Sequence, residues 1–169
     1  IEGNAAAAVF ALYRGLFNAP YSFSGRARRP PTDPVNALLS LGYMLVTAEL
    51  EGLVEGAGLD PYIGFYHQPS YGRSSLALDL LEVFRAPVVD RLTSAACNLG
   101  VVSPEDFEGD AAQGVRLRKA GLKRYLAHFE KSLTSELAHE GGARSLRAAM
   151  RHDVEGVARW LRDGTAYHC

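Results

Sequence analysis

Apolar residues recur at helical spacing along most of the chain, and this pattern predicts an all-α protein. Residues 4–17 are alanine-rich with apolar side chains three and four apart, and residues 34–55 repeat the pattern. Further amphipathic stretches cover 118–139 and 143–163. Only a brief extended piece at 115–117 interrupts them. We therefore expect a single helical domain of five to six helices of unequal length.

Proline, glycine and aspartate mark where these helices begin and end. Asp33 can accept from the free N–H groups at the start of the second helix, and Pro34 suits its first turn. The run Gly56-Ala57-Gly58 ends that helix. Pro87 predicts a kink or a break after the central helix, and Gly141-Gly142 is expected to end the amphipathic stretch before it.

The stretch from His67 to Arg85 carries the candidate chemistry. From Ser74 on, its apolar positions are too dense for an exposed helix, so we expect a helix that is buried on most of its surface. Asp79 and Glu82 lie three residues apart and share one face of this helix. Two carboxylates in an apolar helix are costly unless a cationic side chain or a metal ion neutralises them.

His67 comes just before this helix, where it could close a site with the two carboxylates. An imidazole together with hard oxygen ligands suits a divalent ion such as Mg²⁺ or Mn²⁺. The residue types alone favour a different arrangement, in which Asp79 or Glu82 forms an ion pair with Arg73 or Arg85. Both interpretations remain open at the level of spacing.

The overall charge gives no signal for nucleic acid or membrane, because 18 basic residues balance 19 acidic ones. Any DNA contact has to come from local clusters. The candidates are basic residues in the loop over 18–32 and on the outer face of the 118–139 stretch: Arg26, Arg28, Arg29, Lys119, Lys123 and Arg124. For the loop cluster, a solvated surface and a phosphate-contacting surface are equally open.

The number of cysteines and the length of the apolar runs indicate where in the cell the protein is expected. Cys97 and Cys169 are too few for a disulfide framework, which favours reduced thiols in a cytoplasmic protein. No run approaches the roughly 20 apolar residues that a membrane span needs, so we expect no membrane contact. Residue 1 is Ile rather than Met, and we expect a further N-terminal segment to precede it.

One long motif resembles a known family. The string G-L-D-P-Y-I-G-F-Y-H-Q-P-S-Y-G-R-S-S-L-A-L-D-L-L-E-V-F-R, residues 58–85, is similar to the central motif of the CRISPR adaptation integrase, the Cas1 family. Residues 1–3 resemble the family's first ligand segment, residues 33–43 its next helix, and residues 156–167 its C-terminal helix. The resemblance covers essentially the whole chain.

The resemblance implies a metal-dependent DNA integrase and endonuclease whose helical catalytic domain fills residues 1–169. In that family a Glu, a His and a second acidic residue hold the ion, Mg²⁺ or Mn²⁺, and these positions fall on Glu2, His67 and Glu82. Asp79 is the family's neighbouring acid, a catalytic-site residue that supports the ligands or replaces one of them. The family's N-terminal β-rich dimerisation domain has no counterpart in this chain.

The resemblance also implies the reaction and the partners. A 3′-hydroxyl of a captured double-stranded DNA fragment attacks a phosphate at the edge of a CRISPR repeat, together with the small Cas2 protein and a second copy of the integrase. Arg73 either stabilises charge on that phosphate or pairs with an acid. Asn36 and Tyr43 either position DNA or water or satisfy the core.

Two other functions fit the same residues. The near-zero charge and the amphipathic C-terminal helices also suit a non-catalytic helical module that binds DNA or protein. A different metal-dependent hydrolase would need a small-molecule pocket near His67.

Overall fold

The computed structural model describes residue 9 and residues 11–68, 70–139 and 142–164. The fold class is all-α, as the periodicity predicts. In the described part of the chain, five α-helices account for most of the structure: α1 (Pro34–Gly56), α2 (Ser75–Phe84), α3 (Arg91–Asn98), α4 (Lys119–Thr134) and α5 (Leu146–Asp163). The helix expected over 4–17 lies largely outside the described residues. Residues 11–13 are helical and lead into a 3₁₀ turn, Arg14–Leu16.

Two small antiparallel hairpins interrupt the helices. Strand β1 (Phe107–Glu108) pairs with β2 (Arg116–Leu117), where the sequence predicts a short extended piece. Strand β3 (Glu136–His139) pairs with β4 (Gly142–Ser145), with Glu136 opposite Ser145.

The second hairpin corrects the prediction of one helix over 118–139. Helix α4 ends at Thr134, and in its last turn the Lys131 carbonyl oxygen accepts the backbone N–H of Ser135 at 2.9 Å and two hydroxyl groups as well. The hydroxyl groups of Thr134 and Ser135 both donate to the carbonyl oxygen of Lys131, at 3.3 and 2.6 Å. Such side-chain bonds compete with continuation of the helix.

Helix α1 begins as its sequence predicts. The Oδ1 atom of Asp33 accepts the backbone N–H of Asn36 at 2.8 Å, which satisfies one of the free donors at the helix start. At 23 residues, with a mean hydropathy of 1.4 over its most apolar 18, this helix is long and apolar enough to cross a membrane. This finding corrects the expectation that no run is so long. However, the side chains of Val35, Leu38 and Leu50 are fully buried against other parts of the protein, as in a core helix.

The kink or break predicted at Pro87 takes the form of a change in helix type between α2 and α3. The segment Arg85–Asp90 is π-helical, and α3 follows it directly. Proline has no N–H to donate to the preceding turn, so a regular α-helix cannot run through this position unchanged. The wider turn keeps Val88 and Val89 buried.

The chain divides into two compact units. The first contains residues 1–42 and 90–130, and the second contains residues 43–89 and 131–169. In the first unit, Tyr125 is completely buried, and Tyr21 donates its hydroxyl to the carbonyl of Val102 at 2.6 Å. Burial raises the pKa of the Cys97 thiol in this core to about 12, so the thiol stays protonated.

In the second unit, the core is built from apolar side chains of α1, α2, α4 and α5. It includes Val54, Leu80, Leu133, Met150 and Val154. This core supports α2, which carries the candidate carboxylates.

Asn36 on α1 anchors the loop before that helix and is itself fully buried. Its Oδ1 atom accepts from the Arg26 guanidinium at 2.9 Å and from the Ala27 N–H at 2.8 Å. Its amide nitrogen donates to the Gly25 carbonyl at 2.9 Å and to Asp33 at 2.6 Å. Asn36 therefore has the core-satisfying role that the sequence left open.

Replacement of Asn36 by alanine should strip these partners and leave buried polar groups unpaired. We expect the free energy of unfolding to fall by about 3 kcal/mol, measured by chemical denaturation. Met44→Ala, at an exposed position of the same helix, is the control and should change the unfolding free energy by about 0.5 kcal/mol or less. A loss at Asn36 as small as that of the control would contradict the assigned role.

Candidate functional site

A single buried carboxylate gathers the loop that precedes α2. The Oδ2 atom of Asp79 accepts the backbone N–H groups of Phe65 at 2.7 Å and Tyr66 at 2.9 Å. Its Oδ1 atom accepts the backbone N–H of His67 at 2.9 Å and lies 2.6 Å from the Nδ1 atom of the same residue. Three consecutive backbone donors and one imidazole thus converge on a side chain that is completely buried.

These contacts keep Asp79 ionised. Burial alone would raise the pKa of the carboxyl, but the N–H groups of Tyr66 and His67, the His67 ring and the N–H of Phe65 outweigh it and lower the pKa below its ordinary value. An ionised carboxylate has no proton to give, so Nδ1 of His67 is the donor in the 2.6 Å contact.

The same contact fixes the tautomer of His67. When Nδ1 carries the proton of a neutral imidazole, Nε2 carries the lone pair. The His67 side chain is 22% exposed, so the ring is held firmly at one nitrogen but is not sealed inside the core. A carboxylate that orients a histidine through one nitrogen is the usual support of a histidine that binds a metal through the other.

Small residues and backbone contacts let the loop lie close to α2. A Cβ atom on Gly64 would lie 2.6 Å from Oδ2 of Asp79 and 2.8 Å from Cβ of Ser75, so only glycine fits there. The N–H of Leu76 donates to the Pro61 carbonyl at 2.9 Å. The Ser75 hydroxyl donates to the Gln68 carbonyl at 3.2 Å. The loop is therefore tied to the helix on both sides of His67.

The charge of Glu82 is compensated by other partners than the charge of Asp79. It is 44% exposed and accepts a hydrogen bond from Nη1 of Arg85 at 3.0 Å. The Arg85 guanidinium also lies over the ring of Tyr43, 5.4 Å from the centroid. Burial opposes ionisation of Arg85, but the bonds to Glu82 and Tyr43 outweigh it and raise its pKa above the ordinary value. The ion-pair alternative from the sequence thus describes Glu82, whereas Asp79 relies on backbone donors and His67.

The third predicted ligand, Glu2, lies outside the described residues. Within the part of the chain that the structure describes, no three potential metal ligands converge. The metal site over Glu2, His67 and Glu82 therefore stays a prediction. The chemistry of the donors fits it: a neutral imidazole nitrogen and a carboxylate are the ligand types that Mg²⁺ and Mn²⁺ sites combine.

Asp79, by contrast, has little capacity left for a metal. Both of its oxygens already accept two hydrogen bonds each. Of the two supporting roles that the sequence allowed, the geometry favours that of a residue that positions His67.

The predicted DNA contacts differ in how they are presented. Arg28 and Arg29 are exposed, and so are Lys119, Lys123 and Arg73. Arg26 points inward, because its guanidinium binds Asn36 and, at 3.0 Å, the Ser40 hydroxyl. Arg124 binds Asp106 and the carbonyl of Val101. Contact with DNA remains a prediction for all of these residues, but Arg26 and Arg124 are already engaged in holding the fold.

The structure also reveals a surface that the sequence analysis did not single out. Between Pro61 and Arg73 the loop exposes the side chains of Tyr62, Ile63, Phe65, Tyr66 and Tyr71, at 49 to 107% of their full accessibility. The Tyr66 ring stands edge-on to the His67 ring at 5.6 Å. The signal was present as four aromatic residues within ten positions of a loop that contains glycine and proline and no acid.

The sequence of this chain is similar to those of CRISPR-associated Cas1 proteins. The sequence model of the family described as "CRISPR associated protein Cas1" matches residues 1–131. A CRISPR-associated endonuclease Cas1 of Thermus thermophilus is 42% identical over 138 residues, which covers 82% of this chain and 41% of that protein. A CRISPR-associated endonuclease Cas1 of Chlorobaculum tepidum is 38% identical over 167 residues, 96% of this chain and 49% of the other. The chain therefore spans about half the length of these relatives or less.

Solved structures show the same fold. A casposase bound to an integration product superposes with a TM-score of 0.87 at 27% identity, covering 97% of this chain and 47% of that one. A Cas1 protein from Thermotoga maritima gives 0.86 at 26% identity, covering 99% and 52%. A chain of a Cas6-RT-Cas1–Cas2 complex gives 0.83 at 26% identity, covering 97% and 18%.

Gly64→Ala should disrupt the loop that carries His67. The new methyl group would overlap Asp79 and Ser75, and we expect the free energy of unfolding to fall by about 1 to 3 kcal/mol in thermal or chemical denaturation. Gly52→Ala is the matched control, because open space surrounds that helical position and alanine there should stabilise by about 0.5 to 1 kcal/mol. Equal behaviour of the two variants would show that the close approach at Gly64 is unimportant.

Asp79→Asn should destabilise the protein and flatten its acid response. An amide cannot accept from all four donors, and we expect a loss of about 2 kcal/mol or more at neutral pH. The lowered pKa of Asp79 gives a stabilisation that is complete above the ordinary value of 3.8 and is lost as the pH falls through the folded-state value. Chemical denaturation between neutral and strongly acidic pH measures both effects. A variant whose stability falls as steeply below pH 3.8 as that of the unmodified protein would contradict the assignment.

Proposed function

We propose, from the premise that this chain belongs to the Cas1 family of CRISPR-associated proteins, that it carries the catalytic site of a DNA integrase and endonuclease of CRISPR adaptation. The reaction is the insertion of captured DNA fragments into the CRISPR array by phosphodiester transfer. The observation that carries the proposal is the contact of Asp79 with Nδ1 of His67, because it leaves the second nitrogen of a supported imidazole available as a ligand.

The proposed metal ligands are Glu2, His67 and Glu82, with Mg²⁺ or Mn²⁺ as the ion. When bound, the ion would polarise the scissile phosphate and stabilise the oxygen that departs. Asp79 holds the loop by three backbone N–H groups and accepts the Nδ1 proton of His67, so that Nε2 is the ring nitrogen that would bind the cation. Since the 3′-hydroxyl of the DNA is the nucleophile, the site needs no nucleophilic side chain of its own.

The surface around this site suits a nucleic acid. Arg73 follows the His67 loop and is exposed, and in the described part of the chain it forms no ion pair with Asp79 or Glu82, so its charge can meet a phosphate. The exposed rings of Tyr66 and Tyr71 suit stacking with unpaired bases of a strand near His67. In the other unit, taken by itself, Arg28, Arg29, Lys119 and Lys123 are proposed to contact the DNA backbone without regard to sequence.

The proposed function also implies DNA substrates and protein partners. We propose captured double-stranded DNA and the CRISPR repeat as substrates, and Cas2 and a second copy of the protein as assembly partners. Support comes from the similar fold of a casposase bound to an integration product and of a chain in a Cas6-RT-Cas1–Cas2 complex. A cytoplasmic location, without membrane contact, agrees with this substrate and with the predicted reduced thiols.

A non-catalytic helical module that binds DNA or protein is the second candidate. The exposed aromatic loop favours it, because a patch of this kind also marks protein interaction sites. Isothermal titration with Mn²⁺ at near-neutral pH separates the catalytic proposal from the binding module. The catalytic proposal requires Mn²⁺ binding that depends on His67 and Glu82, whereas the binding module requires no Mn²⁺ binding. A hydrolase acting on a small molecule would instead show turnover in a substrate screen without DNA.

His67→Ala tests the catalytic proposal most simply. The variant loses the nitrogen ligand, and we expect Mn²⁺-dependent DNA cleavage and strand transfer to slow by more than about 100-fold, because a bound ion supplies several kcal/mol to the transition state. Initial rates on a branched DNA substrate measure the effect.

His152→Ala is the matched control, since His152 is an exposed histidine on α5 outside the candidate site. It should retain full activity. Unchanged cleavage and transfer by His67→Ala would refute the assignment.

A further inference from the structure

Arg85 is held between two partners of different kinds. Its Nη1 atom donates to Oε2 of Glu82 at 3.0 Å, and its Cζ atom lies over the ring of Tyr43, 5.4 Å from the centroid. The Arg85 side chain is only 23% exposed, whereas that of Glu82 is 44% exposed. The arginine is therefore the fixed member of the pair, and the carboxylate is the member that can turn away.

We infer that Arg85 is a positioning residue that competes with the divalent cation for Glu82 and remains on Tyr43 when Glu82 becomes a ligand. This inference rests on the proposed function, since it takes Glu82 as one of the ligands. It adds that the Glu82 carboxylate is already paired with a positive charge of this chain, since Nη1 of Arg85 lies 3.0 Å from Oε2 of Glu82.

The strength of the Glu82–Arg85 pair suits such an exchange. It is a single hydrogen bond between residues three apart on successive turns, with nearly half of the carboxylate side chain exposed. Ion pairs of this exposure contribute little, because water and salt screen them. A divalent ion with further ligands can displace such a partner, whereas the carboxylate of Asp79, with its four donors, stays committed.

The backbone keeps Arg85 in place during that exchange. Arg85 is the first residue of the π-helical segment Arg85–Asp90, and Glu82 belongs to the last turn of α2. Val88 and Val89, later in the segment, are completely buried, which fixes the turn that carries the arginine. With Glu82 withdrawn, the guanidinium retains Tyr43 and gains free N–H donors that suit a phosphate oxygen of DNA.

If Arg85 competes with the cation for Glu82, replacing Arg85 should increase the affinity for Mn²⁺, although most substitutions next to a metal ligand lower it. Arg85→Gln removes the positive charge and leaves a shorter side chain that still carries N–H donors. We expect it to bind Mn²⁺ about two- to five-fold more tightly in isothermal titration, the range that follows from the worth of an exposed ion pair. Strand transfer at saturating Mn²⁺ should nevertheless slow about ten-fold, because the fixed cation near the phosphate is gone.

Two further variants separate charge from packing. Arg85→Lys keeps the charge, and its Mn²⁺ affinity should remain that of the unmodified protein. Arg116→Gln is the matched control: Arg116 pairs with Glu108 at 2.9 Å in the other unit and touches no candidate ligand, so its loss should leave the affinity unchanged. Thermal unfolding midpoints identify any variant that fails to fold. If Arg85→Gln fails to fold, Arg85→Lys provides the test. A purely structural role of Arg85 predicts weaker Mn²⁺ binding by Arg85→Lys, whereas the competition predicts unchanged binding.

The Glu82→Gln background distinguishes failure of this inference from failure of the proposed function. If Arg85 acts through Glu82, Arg85→Gln should have no effect on Mn²⁺ affinity once Glu82 is replaced. Unchanged or weaker Mn²⁺ binding by Arg85→Gln, with binding measurably weakened by Glu82→Gln, would overturn the competition and leave the proposed function standing. No Mn²⁺ binding by the unmodified protein would overturn both.

Discussion

The candidate site depends on the buried carboxylate of Asp79. A charge in an apolar helix is costly unless donors surround it, and here three consecutive backbone N–H groups and one imidazole do so. The donors are available only if the loop turns around the carboxylate, and that turn requires glycine at position 64. The same interaction thus stabilises the fold, shapes the loop and sets the protonated nitrogen of His67.

The two acids on this face of α2 illustrate opposite solutions to one electrostatic problem. Asp79 is fully buried and saturated, so it is suited to hold another residue and poorly suited to bind a metal. Glu82 lies one turn later, is partly exposed and has one arginine partner, so it can exchange that partner for a cation. A supporting acid and an available acid are therefore distinguished by burial and donor number, although their residue types are nearly the same.

The helices could be predicted from sequence because their apolar periodicity, the Asp33–Pro34 start and the break at Pro87 are local signals. The hairpin after α4 could not, because apolar periodicity does not register the preference of Thr134 and Ser135 for hydroxyl bonds to the backbone, seen here at the Lys131 carbonyl. Spacing placed Asp79 and Glu82 on one face, but it could not show that backbone donors satisfy the first and Arg85 the second. Arg26 looked like a surface cation because its partner, Asn36, follows ten residues later on another element.

The state of the His67 ring tests the account most directly. Long-range ¹H–¹⁵N correlation spectra of histidine-labelled protein at mildly alkaline pH report which ring nitrogen carries the proton, and His67→Gln assigns the signals. If Asp79 orients the imidazole, the neutral ring carries its proton on Nδ1 and its lone pair on Nε2, a pattern that Asp79→Asn alters. A neutral His67 with its proton on Nε2 would contradict the account, because Asp79 would then not orient the imidazole for a ligand.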